Sequence, residues 1–418
     1  MILTHKNNIK LGFKIFPIFF GLIFFCACNL YAQQNDILIK GGHVIDPKNN
    51  INSIMDVAIS KGKIVQVAAN IPAASAKRIV NAKGLYVTPG LIDMHAHHFA
   101  GISEERQGDP MPDDFTFRTG VTTSIDAGSS GWKSFDAFKA HTIDKSKTRV
   151  LAWLNIVGEG YLGREPWEQN TNDMDATLTA MSVKKNKDYI IGIKVSHYKR
   201  GDWISVDRAV EAGKMVKMPV MVDFGEHNPP QSIEELFTKH FRPGDIFTHC
   251  FAAGASNRET IVDENGKVKP FVFEAQKRGI VFDVGHGAGA FAFSQAVPAL
   301  KQGFVPNSIS TDFNNGSKNG AMKDILNVMS KFLAMGMDMQ TVIKLTTQAP
   351  AKQIQREDLG NLSIGSEADV AVFSVRKGDF GFTDVRRDKV KGTEKLEAEL
   401  TIRAGNIVWD LNGISIPD

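Results

Sequence analysis

Two histidines separated by one residue, His95-Ala96-His97, end the apolar run Leu91-Ile92-Asp93-Met94. In an extended strand residues i and i+2 share a face, so both rings point the same way and can grip one divalent ion at about 2.0–2.1 Å. Pairs at this spacing are common by chance and gain weight only from what else can reach them. Other apolar runs carry, or lead into, groups able to bind or bridge a metal: Lys194 in Gly192-Ile193-Lys194-Val195, Asp223 after Val220-Met221-Val222, and His249 in Thr248-His249-Cys250. His286 in Gly285-His286-Gly287 and Asp312 in Ser310-Thr311-Asp312 follow in the same way. A buried lysine facing imidazoles requires a carboxylate partner or conversion to an anion. Each residue has a bland alternative: a hydrogen-bonded histidine, a solvated lysine, or for Asp312 the N-cap of the next helix.

What must position these groups is a series of strand candidates at 90–97, 121–126, 149–156, 190–195, 220–224, 245–250, 279–284 and 308–312, each followed by a helix-compatible stretch. One such stretch, 322–333, spaces its apolar residues by three and four. Intervals of about 25 to 40 residues suit βα units, and eight of them predict an α/β fold, a (β/α)8 TIM barrel over 89–358 with reactive groups at the C-terminal strand ends. Short alternating runs such as Val57-Ala58-Ile59 and Asn406-Ile407-Val408-Trp409 mark both chain ends as β-rich. Segments 33–88 and 359–418 are therefore expected to form one small accessory β-sandwich.

Of 418 residues, 43 % are hydrophobic and 23 % charged, which excludes a disordered or coiled-coil chain. Lysines are scattered and the net charge is +3, so no footprint for nucleic acid appears, and a small-molecule substrate is the expected partner. Lys6, Lys10 and Lys14, an apolar stretch over 15–27 and Leu30-Tyr31-Ala32 predict a signal peptide over 1–32 and a periplasmic or secreted protein. That stretch is short for a membrane span, and none is expected after its removal. Lipidation at Cys28 is the competing reading, although Phe25-Cys26-Ala27-Cys28 is a poor lipobox. Cys250 would then be the remaining cysteine, alternating away from His249 into barrel packing. His98 and His197 read as exposed or supporting residues, and Arg164 and Arg200 as solvated loop charge. Gly285 to Gly289 lacks the Lys-Ser/Thr of a phosphate cradle. Oligomeric state is not legible.

The segment Pro89-Gly90-Leu91-Ile92-Asp93-Met94-His95-Ala96-His97, after Gly84-Leu85-Tyr86-Val87, resembles the opening signature of the amidohydrolase superfamily of metal-dependent hydrolases. Nearly all of the mature chain is similar to its dihydroorotase-like branch, in particular to the amidohydrolase/deacetylase metallohydrolases. The resemblance implies two divalent ions; histidine and carboxylate ligands suit zinc, with manganese or iron as the alternatives. His95 and His97 would hold one and His249 the other, with a carboxylated Lys194 bridging both and Asp312 as general base. Ions about 3.5–4 Å apart would share a water and turn it to hydroxide beside a substrate carbonyl. Where the superfamily usually has histidine after strand five, this chain has Asp223, an oxygen ligand for the second ion; His227 on the next loop and a one-metal site are the alternatives. His286 is expected either to bind substrate or to belong to a structural turn. A dihydroorotase would want arginine two residues past the histidine pair, where Phe99 stands. The expected activity is deacylation of an N-acyl or O-acyl small acid. The alternatives are a cyclic amidase opening hydantoin, lactam or dihydroorotate-like rings, and a non-catalytic exported binding protein on a barrel scaffold.

Overall fold

Alternating residues near the N-terminus fold as strands whose apolar side faces one core. In the computed structural model, which describes residues 1–3, 34–99, 109–161, 167–225, 227–253 and 258–416, β1 (Asn35–Asp46) pairs antiparallel with β2 (Ile51–Ser60), and β2 with β3 (Lys63–Ala68). Both β4 (Ala76–Asn81) and β5 (Tyr86–Pro89) run parallel to β1. Residues 4–32 of the expected signal segment, Cys28 among them, and Arg164 lie outside the described residues.

The chain then changes character. From β6 (Leu91–Ala96) it repeats buried strands with helices between them: β7 (Val121–Gly131), β8 (Arg149–Asn155), β9 (Ile190–Val195), β10 (Val220–Val222), β11 (Ile246–Phe247) and β12 (Val281–Phe282). These pair in sequence order and in parallel. Covered on both faces, such strands read as continuous apolar runs, as β6 and β9 do. Residues 308–313 close the ring as a bridged segment: Ser308 pairs with Asp283 and Phe313 with Ala96, both parallel. Backbone N–H groups of Val284 and His97 donate to the carbonyls of Ser308 and Phe313, fastening that segment to its two neighbours.

Below the mouth, Ile92, Met94, Leu151, Trp153 and Met221 form a buried plug. The Trp153 indole satisfies its one donor on the Met94 carbonyl at 3.0 Å. Helix Ile325–Ala334, close to the expected span, presents Val328, Met329 and Phe332 to the outer core.

The last strands return to the first sheet. β13 (Val370–Thr383) pairs with β5, placing Val372 opposite Val87, and continues into β14 (Lys389–Arg403) and β15 (Asn406–Asp410). Both chain ends thus meet in one hydrogen-bonded sheet with its own core, including Val57, Ile59, Val370 and Leu400. Arg149 at the start of β8 binds Glu367 and Asp369 beside β13, tying barrel to sheet. Among the described residues no helix is long and apolar enough to cross a membrane.

Candidate metal centre

Barrel strands deliver side chains to one mouth, and here the ladder stops short so that strand ends can turn inward. Regular pairing in β10 and β11 ends at Val222 and Phe247, one and two residues before Asp223 and His249. His95, His97, Lys194, Asp223, His249 and Asp312 all line one cavity of about 520 Å³. Asp312 Oδ1 lies 3.2 Å from His97 Nε2 and 3.7 Å from His95 Nε2, and ligand atoms of these three residues fall within 4.8 Å of one another. Lys194 Nζ is 3.4 Å from His95 Nε2, and His249 Nε2 is 3.4 Å from Asp223 Oδ2.

The far nitrogen of each ring is already engaged. His249 Nδ1 donates to the Gly285 carbonyl at 2.5 Å, which leaves Nε2 bare in the neutral ring. Thr248 gives its hydroxyl proton to Asp283 and accepts from His95 Nδ1 at 2.9 Å, fixing the same tautomer there. His97 Nδ1 meets the Ser129 hydroxyl at 2.9 Å. Oriented imidazoles whose outer nitrogens are held by carbonyl, hydroxyl or carboxylate groups are the arrangement a divalent ion requires. Burial, with Lys194 and the neighbouring imidazoles, drives the His95 pKa well below its ordinary value, so the ring is neutral as a ligand must be. Burial opposes protonation of His97, but the Asp312 carboxylate overrides it and raises that pKa. The residues present fit a divalent ion at the His95, His97 and Asp312 end.

Lys194 is fully buried, and burial lowers its pKa. A lowered pKa favours the neutral amine, the form able to add carbon dioxide. Its stem is accommodated because Gly128 sits opposite; a Cβ there would lie 2.8 Å or less from the lysine Cβ and Cγ. Gly287, at φ +58°, does the same for Asp312, since a Cβ would come within 2.4 Å of Oδ2. Asp312 itself has φ +49°, His249 +57° and His197 +44°. Left-handed backbone at non-glycine residues is costly, of order 1–3 kcal/mol each, and here it recurs at groups lining the mouth.

Asp223 Oδ1 accepts from Arg258 Nη2 at 2.8 Å, and Oδ2 lies 3.2 Å from His197 Nε2. Burial alone would raise the Asp223 pKa; His249 and His197 instead hold it well below the usual carboxylate range. His197 reaches Glu168 through Nδ1 at 3.2 Å, and against the cost of desolvation these two carboxylates push the pKa of this partly exposed ring up to about 10. Sequence reasoning placed His197 outside the site because alternation along β9 turns it away. Its left-handed backbone, which no strand pattern signals, turns it back. Glu168, Arg258, Lys199 and Tyr161 also line the cavity from loops whose spacing carries no signal.

The structure does not bring His286 to this group. Its ring is buried, stacked on Phe291 at 4.6 Å, with Nε2 2.6 Å from Lys331 Nζ and Nδ1 3.0 Å from the Gly287 carbonyl. It does not line the cavity, because two left-handed glycines turn the loop so that the ring faces the outer core. His227, His98, Cys250 and Arg200 likewise do not line the cavity. His227 is buried against Phe224 and also absent from the lining, and burial lowers its pKa to about 4. His98 faces Ser124 behind the mouth, Cys250 is buried in the barrel's outer core, and Arg200 is exposed.

Residues 115–409 match the amidohydrolase family. A deacetylase of Agrobacterium fabrum is 32 % identical over 352 residues, 82 % of this chain and 83 % of that protein. A deacetylase of Enterococcus faecalis is 30 % identical over 379 residues, 89 % of this chain and 98 % of that protein. The crystal structure of an adenine deaminase superposes with a TM-score of 0.79 at 30 % identity, covering 90 % of this chain and 100 % of the other. That of a dihydroorotase gives 0.77 at 29 %, covering 90 % and 99 %.

Proposed function

This chain belongs to the amidohydrolase family, and on that premise we propose that it removes an acyl group from an N-acylated or O-acylated small acid. The observation that carries the reading is the convergence of His95 Nε2, His97 Nε2 and Asp312 Oδ1 at the mouth of a parallel barrel. A divalent pair there, zinc by ligand type, would be held by His95, His97, Asp223 and His249, with Lys194 as a carbamate. Such ions supply Lewis acidity and lower the pKa of water.

The chain's own groups do the rest. Asp312 Oδ1, beside His95 Nε2 and His97 Nε2, takes the proton of the attacking water as the carbon–oxygen bond forms and returns it to the leaving nitrogen or oxygen as the acyl bond breaks. Arg258 and Lys199 on the cavity wall provide positive charge for a substrate carboxylate. Deacylation is favoured over dihydroorotate ring opening because Phe99 is buried against Phe138 and offers no cation near the histidine pair. The proposal includes export with cleavage after Ala32, which the mass of the protein recovered from its host checks.

A panel of N-acetyl and O-acetyl acids beside cyclic ureides and lactams tests the activity. Release of acetate by the wild type and its loss in Asp312→Asn are expected. Ring opening without acetate release would replace this reading with the cyclic amidase, and equal activity in both proteins would remove Asp312 as the base.

A further inference from the structure

One carboxylate outside the cavity is wired to two of the imidazoles that line it. We propose that Asp283, acting through Thr248, is a positioning residue that fixes the proton of His95 on Nδ1 and so presents Nε2 to the first divalent ion. The inference rests on the metal reading above and concerns how this chain prepares its own ligands for that ion.

Asp283 directly follows β12, and its backbone is pinned on both sides. Its N–H donates to the Phe247 carbonyl, its own carbonyl accepts from Cys250, and it bridges Ser308 of the closing segment. The carboxylate collects hydroxyl protons from both neighbouring barrel segments: Thr248 at 2.7 Å, Ser308 at 2.6 Å and Ser310 at 2.8 Å. With its proton committed, Thr248 has only lone pairs left for His95 Nδ1, so the ring must supply the proton there. Asp283 Oδ2 itself stands 3.6 Å from that nitrogen. A longer route reaches the second imidazole. Ser310 accepts from the Gly285 N–H at 2.9 Å, and the Gly285 carbonyl holds His249 Nδ1. The two branches meet at Gly285, where at φ +45° a Cβ would lie 2.5 Å from Thr248 Oγ1, 2.8 Å from His249 Nδ1 and 3.0 Å from His95 Nδ1.

Charge supplies the second argument. Asp283 is fully buried, and among the described residues no lysine or arginine pairs with it; its ionisable neighbour in ion-pair range is His95. A carboxylate kept from water by neutral hydroxyls alone is costly. A divalent ion on the far side of the imidazole offsets that cost, and the carboxylate in turn makes the ring a stronger ligand, the effect of an outer carboxylate on a metal-bound histidine. His95 is one of the three residues whose ligand atoms fall within 4.8 Å of one another, so the relay ends on the group best placed to hold an ion.

The test is a zinc titration by calorimetry of the metal-stripped full chain in buffer containing bicarbonate, with the ring nitrogens read by 15N NMR of histidine-labelled protein. Thr248→Val keeps the branched shape and removes the hydroxyl, whereas Thr248→Ser keeps the hydroxyl. Thr248→Val and Asp283→Asn should each weaken the first equivalent by about 10-fold or more, the size expected of a lost outer partner. In stripped protein both should move the His95 proton from Nδ1 toward Nε2, while Thr248→Ser stays close to the wild type. Adding Asp283→Asn to Thr248→Val should cost little more, because the two act through one relay. Thermal unfolding of the stripped proteins separates loss of the site from loss of the fold; if Asp283→Asn does not fold, the two Thr248 variants decide. Folded variants with wild-type affinity, or with the His95 proton still on Nδ1, overturn the proposal. Equal loss in Thr248→Val and Thr248→Ser overturns it too, since that marks packing. A wild type that binds no zinc overturns it together with the metal reading.

Discussion

His249 and His286 lie two and four residues past the ends of neighbouring barrel strands and end in opposite circumstances. Each follows a short barrel strand, each is buried, and each has Nδ1 at a backbone carbonyl. His249 points Nε2 into a cavity toward Asp223, whereas His286 points it at Lys331 and stacks on Phe291 inside the outer core. A histidine at a barrel strand end is therefore a site residue only when its outer nitrogen is satisfied and its inner one faces open space beside other donors. Where both nitrogens are satisfied by the protein, the same residue is a core hydrogen-bonding group.

The comparison can be broken at several points. Asp312→Asn, on the cavity side, should lower kcat by about 10² to 10⁴-fold, the usual worth of a positioned acid–base group, with the fold retained by circular dichroism. Gly287→Ala comes next. It forces a methyl against Asp312 Oδ2 and places a non-glycine residue at φ +58°, and a displacement of about 1 Å should lower kcat on the order of 10²-fold. On the core side, His286→Leu leaves the Lys331 amine without its imidazole partner. It should cost about 1–3 kcal/mol in denaturant unfolding while metal content stays at the wild-type level. A drop in metal content there would place His286 back in the site.

A further effect is one of pH. Burial, reinforced by Lys323, lowers the Lys331 pKa from 10.5 to about 7, so the folded state binds this proton less readily than the unfolded state. The destabilisation this causes is complete below about pH 7 and disappears as pH rises toward 10.5. Relative to Lys331→Met, the wild type should therefore gain melting temperature between pH 7 and pH 10. A difference that is flat over this range would mean Lys331 titrates normally.

The strand pattern was legible because buried parallel strands are apolar on both faces, and 190–195 is a strand over its whole expected length. His95, Lys194 and Asp223 could be read from strand ends because side-chain direction alternates along a strand. The eighth segment behaved differently. Residues 308–313 bridge both neighbours yet carry no regular strand, since Asp312 adopts a left-handed backbone. That torsion, like those of His197 and His249, is set by the surrounding packing and leaves no periodic mark. Glu168 and Arg258 arrive from loops, where residue type gives no direction at all. For His286 the flanking glycines are compatible with a reach toward substrate or with a structural turn, and here they turn the ring inward.

Anomalous diffraction at the zinc edge, on crystals of protein prepared with zinc, tests the central claim most directly. The account predicts a peak bonded by His95 Nε2 and His97 Nε2, beside Asp312 Oδ1 and within reach of Lys194. A zinc peak elsewhere, or none between those two imidazoles, would contradict it.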